Sequence, residues 1–217
     1  MIAHLNPTVT ADDYVDLPAT MRDAQRWLVW RSEPKPDPTK KPAKVPYYVD
    51  GVRRHGELDT PADQARLATF NEALCALQGG GYTGLGFALG PDGTGQCWQG
   101  IDLDDVPNRP ALQLLVDDLP GYTENSPSGA GTHAIGYGRP FDNLGSNGSG
   151  IEAYAAARFF TVTAAGAGLH DPACLADFVK QRLQPLHTPV QLLGSAERPD
   201  SEFYETVPPE VVTELRS

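Results

Sequence analysis

Apolar residues along this chain fall into short runs, cut apart by proline, glycine and polar clusters. Arg26-Trp27-Leu28-Val29-Trp30-Arg31 is rich in aromatic and β-branched residues and stops at Ser32-Glu33-Pro34, which predicts a first strand. Trp27 and Trp30 lie on its opposite faces, one toward a core and the other toward core, edge packing or a base to stack on. Lys44–Val49 reads as extended, Asp50-Gly51 as a turn, and Val52–Arg54 as a partner strand. Leu85–Leu89 and Cys97–Leu103, joined across Gly90–Gly95, read as a β-hairpin. Tyr122–His133 predicts a strand, a glycine- and serine-rich turn and another strand, and Ile151–Tyr154 and Arg158–Thr163 predict two more. Spacings of three and four mark the helices. One starts at Thr60-Pro61-Ala62-Asp63, with Thr60 as N-cap, carries Leu67, Phe70, Leu74 and Leu77 on one face, and ends at Gly79-Gly80-Gly81. Ala19–Gln25, Pro110–Leu119 and Cys174–Leu183 are the others, and residues 1–17 read as a loosely held arm.

Strands and helices thus alternate irregularly, as in a mixed α/β (α+β) fold. A length of 217 residues suits one large domain or two small ones. Residues 1–188 read as one unit of catalytic size. Residues 189–217 read as a linker, Gly194–Ser201, and the start of a connecting helix, Pro208–Leu215. No apolar run approaches the ~20 residues that span a bilayer, and Met1–Pro7 has no basic segment followed by an apolar one. The expectation is no membrane association. Cys75, Cys97 and Cys174 form neither a disulfide framework nor a zinc half-site, which suits a reducing, cytoplasmic setting, with Cys75 and Cys174 expected to be buried.

The net charge of −11 argues against unselective binding to nucleic acid. Its distribution changes that picture. Between Arg31 and Arg54 stand seven Lys or Arg (Arg31, Lys35, Lys40, Lys41, Lys44, Arg53, Arg54) against three acids. This local patch is either a solvated loop or a contact for a polyanion.

Candidate chemistry centres on Gly100-Ile101-Asp102-Leu103-Asp104-Asp105. Alternation on a strand puts Asp102 and Asp104 on one face, where two carboxylates either share a divalent cation or form a plain acidic strand end. Asp105 reads as a solvated neighbour or as a group that supports the pair from behind. Downstream, Ser126-Pro127-Ser128-Gly129-Ala130-Gly131-Thr132-His133 reads as a turn delivering a histidine to a strand. Ser126, Ser128, Gly129 and Gly131 either form an anion-binding nest with His133 or an ordinary tight turn. Arg158 is a candidate phosphate contact or a surface ion pair, and Lys44 a candidate for a triphosphate or a template backbone. Tyr154 and Phe160 read as core, and Tyr47 as a weaker stacking platform.

Taken in order, Gly-Phe-Ala-Leu before Ile-Asp-Leu-Asp, then Tyr-Thr-Glu-Asn-Ser-Pro-Ser-Gly-x-Gly-x-His, then Ile-Glu-x-Tyr and Arg-Phe-Phe-Thr-Val-Thr, resemble the archaeo-eukaryotic primase superfamily over roughly residues 22–170. Within it, the chain resembles the primase–polymerase domains of phage and plasmid replication proteins. The resemblance implies an RRM-like antiparallel catalytic sheet packed with a smaller N-terminal α/β part. It implies Asp102, Asp104 and Glu152 as catalytic metal ligands for a two-metal Mg²⁺ or Mn²⁺ site, with His133, Ser126, Ser128, Gly129, Gly131, Arg158 and Lys44 around the nucleotide. Glu152 stands where many relatives have Asp, and Gly131 where relatives often carry a hydroxyl. The implied activity is DNA-directed nucleotidyl transfer from NTP or dNTP on a single-stranded DNA template, in a bacterial host cytoplasm, with a helicase domain downstream. Two rivals remain: a metal-dependent replication-initiator nuclease, which needs a nucleophilic Tyr near paired histidines, and a non-catalytic single-strand-binding module, which needs exposed aromatics on a sheet.

Overall fold

The computed structural model describes residues 10–165 and 170–187. The predicted linker and helix beyond residue 188, and the first nine residues of the predicted arm, lie outside them. Two antiparallel sheets dominate. The first runs β2 (Ala43–Tyr47), β1 (Trp27–Glu33), β3 (Gly84–Ala88), β9 (Phe159–Val162). In the second, β5 (Cys97–Leu103) and β7 (Thr132–Gly138) are central and β6 (Tyr122–Asn125) flanks β7. On its other side β5 pairs with the two-residue β4 (Gly90–Pro91) at its start and with β8 (Ile151–Tyr154) at its end.

The strand alternation of the second sheet sorts its residues into two faces. Ile101, Leu103, Ala134, Ile151 and Ala153 point back, where they bury Leu112 and Leu115 of α4 (Pro110–Val116) and Leu175, Val179 and Leu183 around α5 (Ala176–Phe178) and its continuing π-helical turn. Trp98, Tyr122, Ile135 and Tyr154 point forward and pack with Trp27, Val29, Leu85, Phe87 and Phe160 of the first sheet. An edge-to-face contact of Phe87 and Trp98, 4.8 Å between centroids, joins the sheets.

Several expectations are corrected. Leu85–Leu89 and Cys97–Leu103 do not form a hairpin, because they belong to different sheets. The chain switches sheet at Gly90, whose φ of +126° and whose lack of a side chain let it lie against Asp59, where a Cβ would come within 2.4 Å of the carboxylate. The helix expected to run from Thr60 breaks into α2 (Pro61–Gln64) and α3 (Phe70–Gln78). Between them Ala68 leaves helical geometry to exchange two backbone hydrogen bonds with Trp27, and Thr69 and Glu72 start α3 with a capping box. Residues 10–17 are no loose arm: they form a 3₁₀ turn at Ala11–Tyr14, Tyr14 and Leu17 are buried in the core, and α1 (Ala19–Asp23) follows. Cys75 and Cys174 are exposed and Cys97 is buried, the reverse of the expectation for the first two. Cys75 lies on α3 outside its buried set of Phe70, Ala73, Leu74 and Leu77. Val52–Arg54 contributes a single bridge, Tyr47 to Arg53, rather than a strand. Trp27 and Trp30 are both buried, so neither is open to a base. The helix expected from Cys174 begins at Ala176.

Candidate active site

The registers of three strand pairs place Glu152, Asp102, His133 and Glu124 in one row across the second sheet, one residue from each of β8, β5, β7 and β6. All four share the forward face. The next row, Tyr154, Gly100, Ile135 and Tyr122, is apolar or aromatic and meets the first sheet. Gly100 is needed there, because a Cβ would sit 2.5 Å from the Phe160 ring. Phe160 therefore rests over β5 and against the His133 imidazole, with ring centroids 4.8 Å apart.

The row opens into a cleft of about 260 Å³ lined by Lys44, Asp102, His133, Glu152, Tyr154 and Arg158, with Phe159, Phe160 and Thr161 closing one side. Arg158 lies on the link from β8 to β9, where the chain crosses between sheets. Its carbonyl accepts from Leu89 N–H at the other crossing. Its guanidinium donates to Tyr154 Oη at 2.7 Å and lies 3.5 Å from Glu152 Oε2, while Tyr154 donates to that same oxygen at 2.6 Å. His133 faces a carboxylate on each side, Asp102 Oδ1 3.6 Å from Nε2 and Glu124 Oε1 3.5 Å from Nδ1. Burial pushes the Asp102 carboxyl up to about 6, and the negative charges of Asp104 and Glu152 push the same way against His133 and Lys44.

The sequence-predicted residues separate here. Asp102, Glu152, His133, Arg158 and Lys44 meet in the cleft. Asp104 follows the end of β5, exposed, and influences Asp102 by charge without lining the cleft. Asp105 is exposed in a left-handed conformation and accepts from the Asn108 amide. The Ser126–Gly131 turn is also outside the cleft lining and satisfies its own groups. Ser126 N–H donates to the Gly131 carbonyl, Gly131 N–H to Ser126 Oγ, and Gly129 N–H to the Ser126 carbonyl, while the Ser126 and Ser128 hydroxyls pair at 3.0 Å. Tyr154 and Phe160 are buried as expected, yet both border the cleft. Tyr47 is engaged, its hydroxyl by Glu33 and its ring by the Arg31 guanidinium at 4.5 Å. Arg54 leaves the basic patch: it is buried and forms a two-pronged ion pair with Asp63, at 2.8 and 2.7 Å. Lys35, Lys40, Lys41, Lys44 and Arg53 stay exposed. Glu124 is the residue that reading the sequence missed. Only the alternation of Tyr122 and Glu124 hinted that both share the forward face.

The sequence has a counterpart among known proteins. The chain is similar to a DNA primase-polymerase. That protein, from Nitratiruptor phage NrS-1, is 28% identical over 191 residues, covering 80% of this chain and 24% of its own length. The likeness supports a primase–polymerase relationship. The chain spans about a quarter of that relative. No protein-family model matches.

Whether the site suits a divalent cation turns on its donors. Among the described residues no three His, Cys, Asp or Glu side chains are gathered closely enough to hold a metal as they stand. The donor type and charge nevertheless fit one. Asp102 and Glu152 are direct cross-strand neighbours, Asp102 Oδ1 is buried without a hydrogen-bond partner among the described residues, and hard carboxylate oxygens suit Mg²⁺ or Mn²⁺.

Proposed function

We propose that this chain is the catalytic part of a DNA-directed primase–polymerase of phage or plasmid replication, a nucleotidyltransferase that joins an NTP or dNTP to a 3′-hydroxyl on single-stranded DNA. The observation that carries this reading is the cross-sheet row Glu152–Asp102–His133, opening into a cleft rimmed by Arg158 and Lys44. The similarity to a phage primase-polymerase supports it. So does the strand order β8-β5-β7-β6 with α4 between β5 and β6, the split arrangement of an RRM-like sheet. A longer parent protein carrying a helicase domain is part of the same proposal.

Asp102 and Glu152, with Asp104 from the strand end, would hold Mg²⁺ or Mn²⁺. When bound, such ions activate the attacking hydroxyl and neutralise charge on the leaving phosphates. The chain's own residues bind and orient. Arg158, anchored through Tyr154, presents a guanidinium that pairs with phosphate oxygens. Lys44 brings a second cation from the first sheet. His133 turns Nε2 to the Asp102 side of the cleft and is placed to contact a phosphate oxygen, its ring plane held by Phe160. The exposed Lys35, Lys40, Lys41 and Arg53 would hold the template by its backbone.

The alternatives fit less well. Among the described residues one histidine lines the cleft, against the pair an initiator nuclease needs. Among the described residues the exposed large hydrophobics are Val15, Val52, Leu114 and Leu186, none of them an aromatic stacking platform. The deciding experiment is nucleotide incorporation on single-stranded DNA, with and without primer, in Mg²⁺ and in Mn²⁺, beside Asp102→Ala/Asp104→Ala. Metal-dependent products lost in the double variant are expected, and the unprimed lane separates priming from extension. Incorporation that survives the double variant would sink the assignment.

A further inference from the structure

Glu124 stands outside the cleft, one strand behind His133, and its side chain is 0% exposed. Burying a carboxylate is costly unless its oxygens are satisfied. Here one oxygen is heavily served. Oε2 accepts from the Tyr122 hydroxyl at 2.8 Å and from the successive backbone N–H groups of Thr163 and Ala164 at 2.9 and 3.0 Å. To bring both N–H groups to one atom, the chain after β9 holds Ala164 at φ +54°, a conformation alanine adopts rarely. Among the described residues the other oxygen, Oε1, has no hydrogen-bond partner. It lies 3.5 Å from His133 Nδ1, which is also buried and has none among them.

We propose that Glu124 is the positioning residue of His133: its Oε1 fixes a hydrogen on Nδ1 and so keeps Nε2 turned toward Asp102 and the cleft. A carboxylate only accepts, so a hydrogen on Nδ1 is the arrangement that complements Oε1, while Nε2 is left to Asp102 or to a ligand in the cleft. A histidine that works through one ring nitrogen is commonly oriented through the other. Phe160 controls the ring plane, and Glu124 controls rotation within it. The functional consequence rests on the primase–polymerase reading; the placement of the hydrogen does not.

Glu124→Gln gives a directional test. Three donors already converge on the Oε2 position, so the glutamine must put its carbonyl oxygen there and turn its NH₂ toward His133. Nδ1 then has to accept, and the hydrogen resides on Nε2. Nitrogen-15 NMR of the histidine-labelled chain, with the His133 signal identified by its disappearance in His133→Ala, should show Nδ1 protonated in the wild type and unprotonated in Glu124→Gln. Glu124→Asp, which keeps the carboxylate, should retain hydrogen on Nδ1. In nucleotide incorporation, Glu124→Gln should lower kcat/KM for the nucleotide at least tenfold with single-stranded DNA affinity unchanged. An unprotonated Nδ1 in the wild type, or the same nitrogen pattern in Glu124→Gln, overturns the proposal. If Glu124→Gln does not fold, loss of the Nδ1 hydrogen in folded Glu124→Asp overturns it instead. A wild type that incorporates no nucleotide yet shows the expected nitrogen pattern removes the enzymatic reading and leaves the positioning role standing.

Discussion

Glu152 lies directly across from Asp102 on the neighbouring antiparallel strand, and among the described residues Glu152 Oε2 is hydrogen-bonded whereas Asp102 Oδ1 is not. The Tyr154 hydroxyl and the Arg158 guanidinium attend Glu152, whereas Asp102 keeps one buried oxygen bare. The fold therefore opposes ionisation of Asp102. A carboxyl whose pKa rises from 3.8 to about 6 on folding binds its proton more tightly in the native state. Stability then falls as pH rises from about 4 to 6, by up to about 3 kcal/mol, and stays lower above. In chelator, Asp102→Asn should melt above the wild type at pH 8, and the gap should close near pH 4. Mg²⁺ or Mn²⁺ should raise the melting temperature of the wild type and leave that of the variant unmoved. A gap independent of pH would contradict the burial argument.

Tyr154 is a hinge between an acid and a base. It donates to Glu152, accepts from Arg158 and stacks under the same guanidinium at 4.4 Å. Tyr154→Phe keeps the ring and removes both hydrogen bonds. Losing two bonds of about 1 kcal/mol each should lower the melting temperature by a few degrees, and freeing the guanidinium from its anchor should raise the nucleotide KM several-fold. Arg158→Ala should raise it further. An unchanged KM in both variants would place the nucleotide elsewhere.

What could be read from the sequence was what depends on neighbours along the chain. Alternation placed Asp102 and His133 on strands, and Glu152 on a third, because period two survives whichever strand pairs with which. The hairpin from Leu85 to Leu103 was misread for the same reason, since two apolar strands around a glycine turn look alike within one sheet or between two. The decision rests with Gly90 against Asp59, residues far apart in sequence. The spacing of Leu67, Phe70, Leu74 and Leu77 persists across the break between α2 and α3. There the Trp27–Ala68 bridge overrides the helical period, although Thr69 and Glu72 carried a local start signal. Glu124 stayed hidden because its role depends on the register of β6 on β7 and on backbone N–H groups some forty residues away.

The basic stretch divides into two kinds of cation. Lys35, Lys40 and Lys41 are exposed, and the weak ion pair of Lys40 with Asp37 at 4.0 Å does not occupy it. Removing a cation that pairs with a phosphate of a single strand should lower the salt dependence of template binding by about 0.7 in log–log slope. Replacing the three lysines by glutamine should therefore weaken binding to single strands of any sequence and flatten the slope by up to about two, with no change in melting temperature. A slope that stays the same would move the template to another face.

Arg54 belongs to the second kind. Burial alone would raise Asp63, but the Arg54 guanidinium, the Tyr48 hydroxyl and the Asp59 N–H outweigh it and hold the carboxyl at about 2. Arg54 also reaches the Arg158 carbonyl at 3.4 Å, and Asp59 accepts from Ala157 N–H. The buried pair thus lies behind the crossing that carries Arg158. A carboxyl depressed from 3.8 to about 2 stabilises the fold fully above about pH 4, and this contribution is lost as pH falls toward 2. Asp63→Asn leaves a buried guanidinium without its counter-charge and should cost roughly 3–5 kcal/mol at neutral pH. The cost should shrink in acid, where the wild type loses the same charge. Because Asp63 touches neither Glu152 nor Asp102, the folded fraction of the variant should keep metal-induced stabilisation while its nucleotide KM rises through misplaced Arg158. Denaturant unfolding at pH 7 and near pH 2.5 measures the first effect. A cost equal at both pH values would show that Asp63 works by packing rather than by charge.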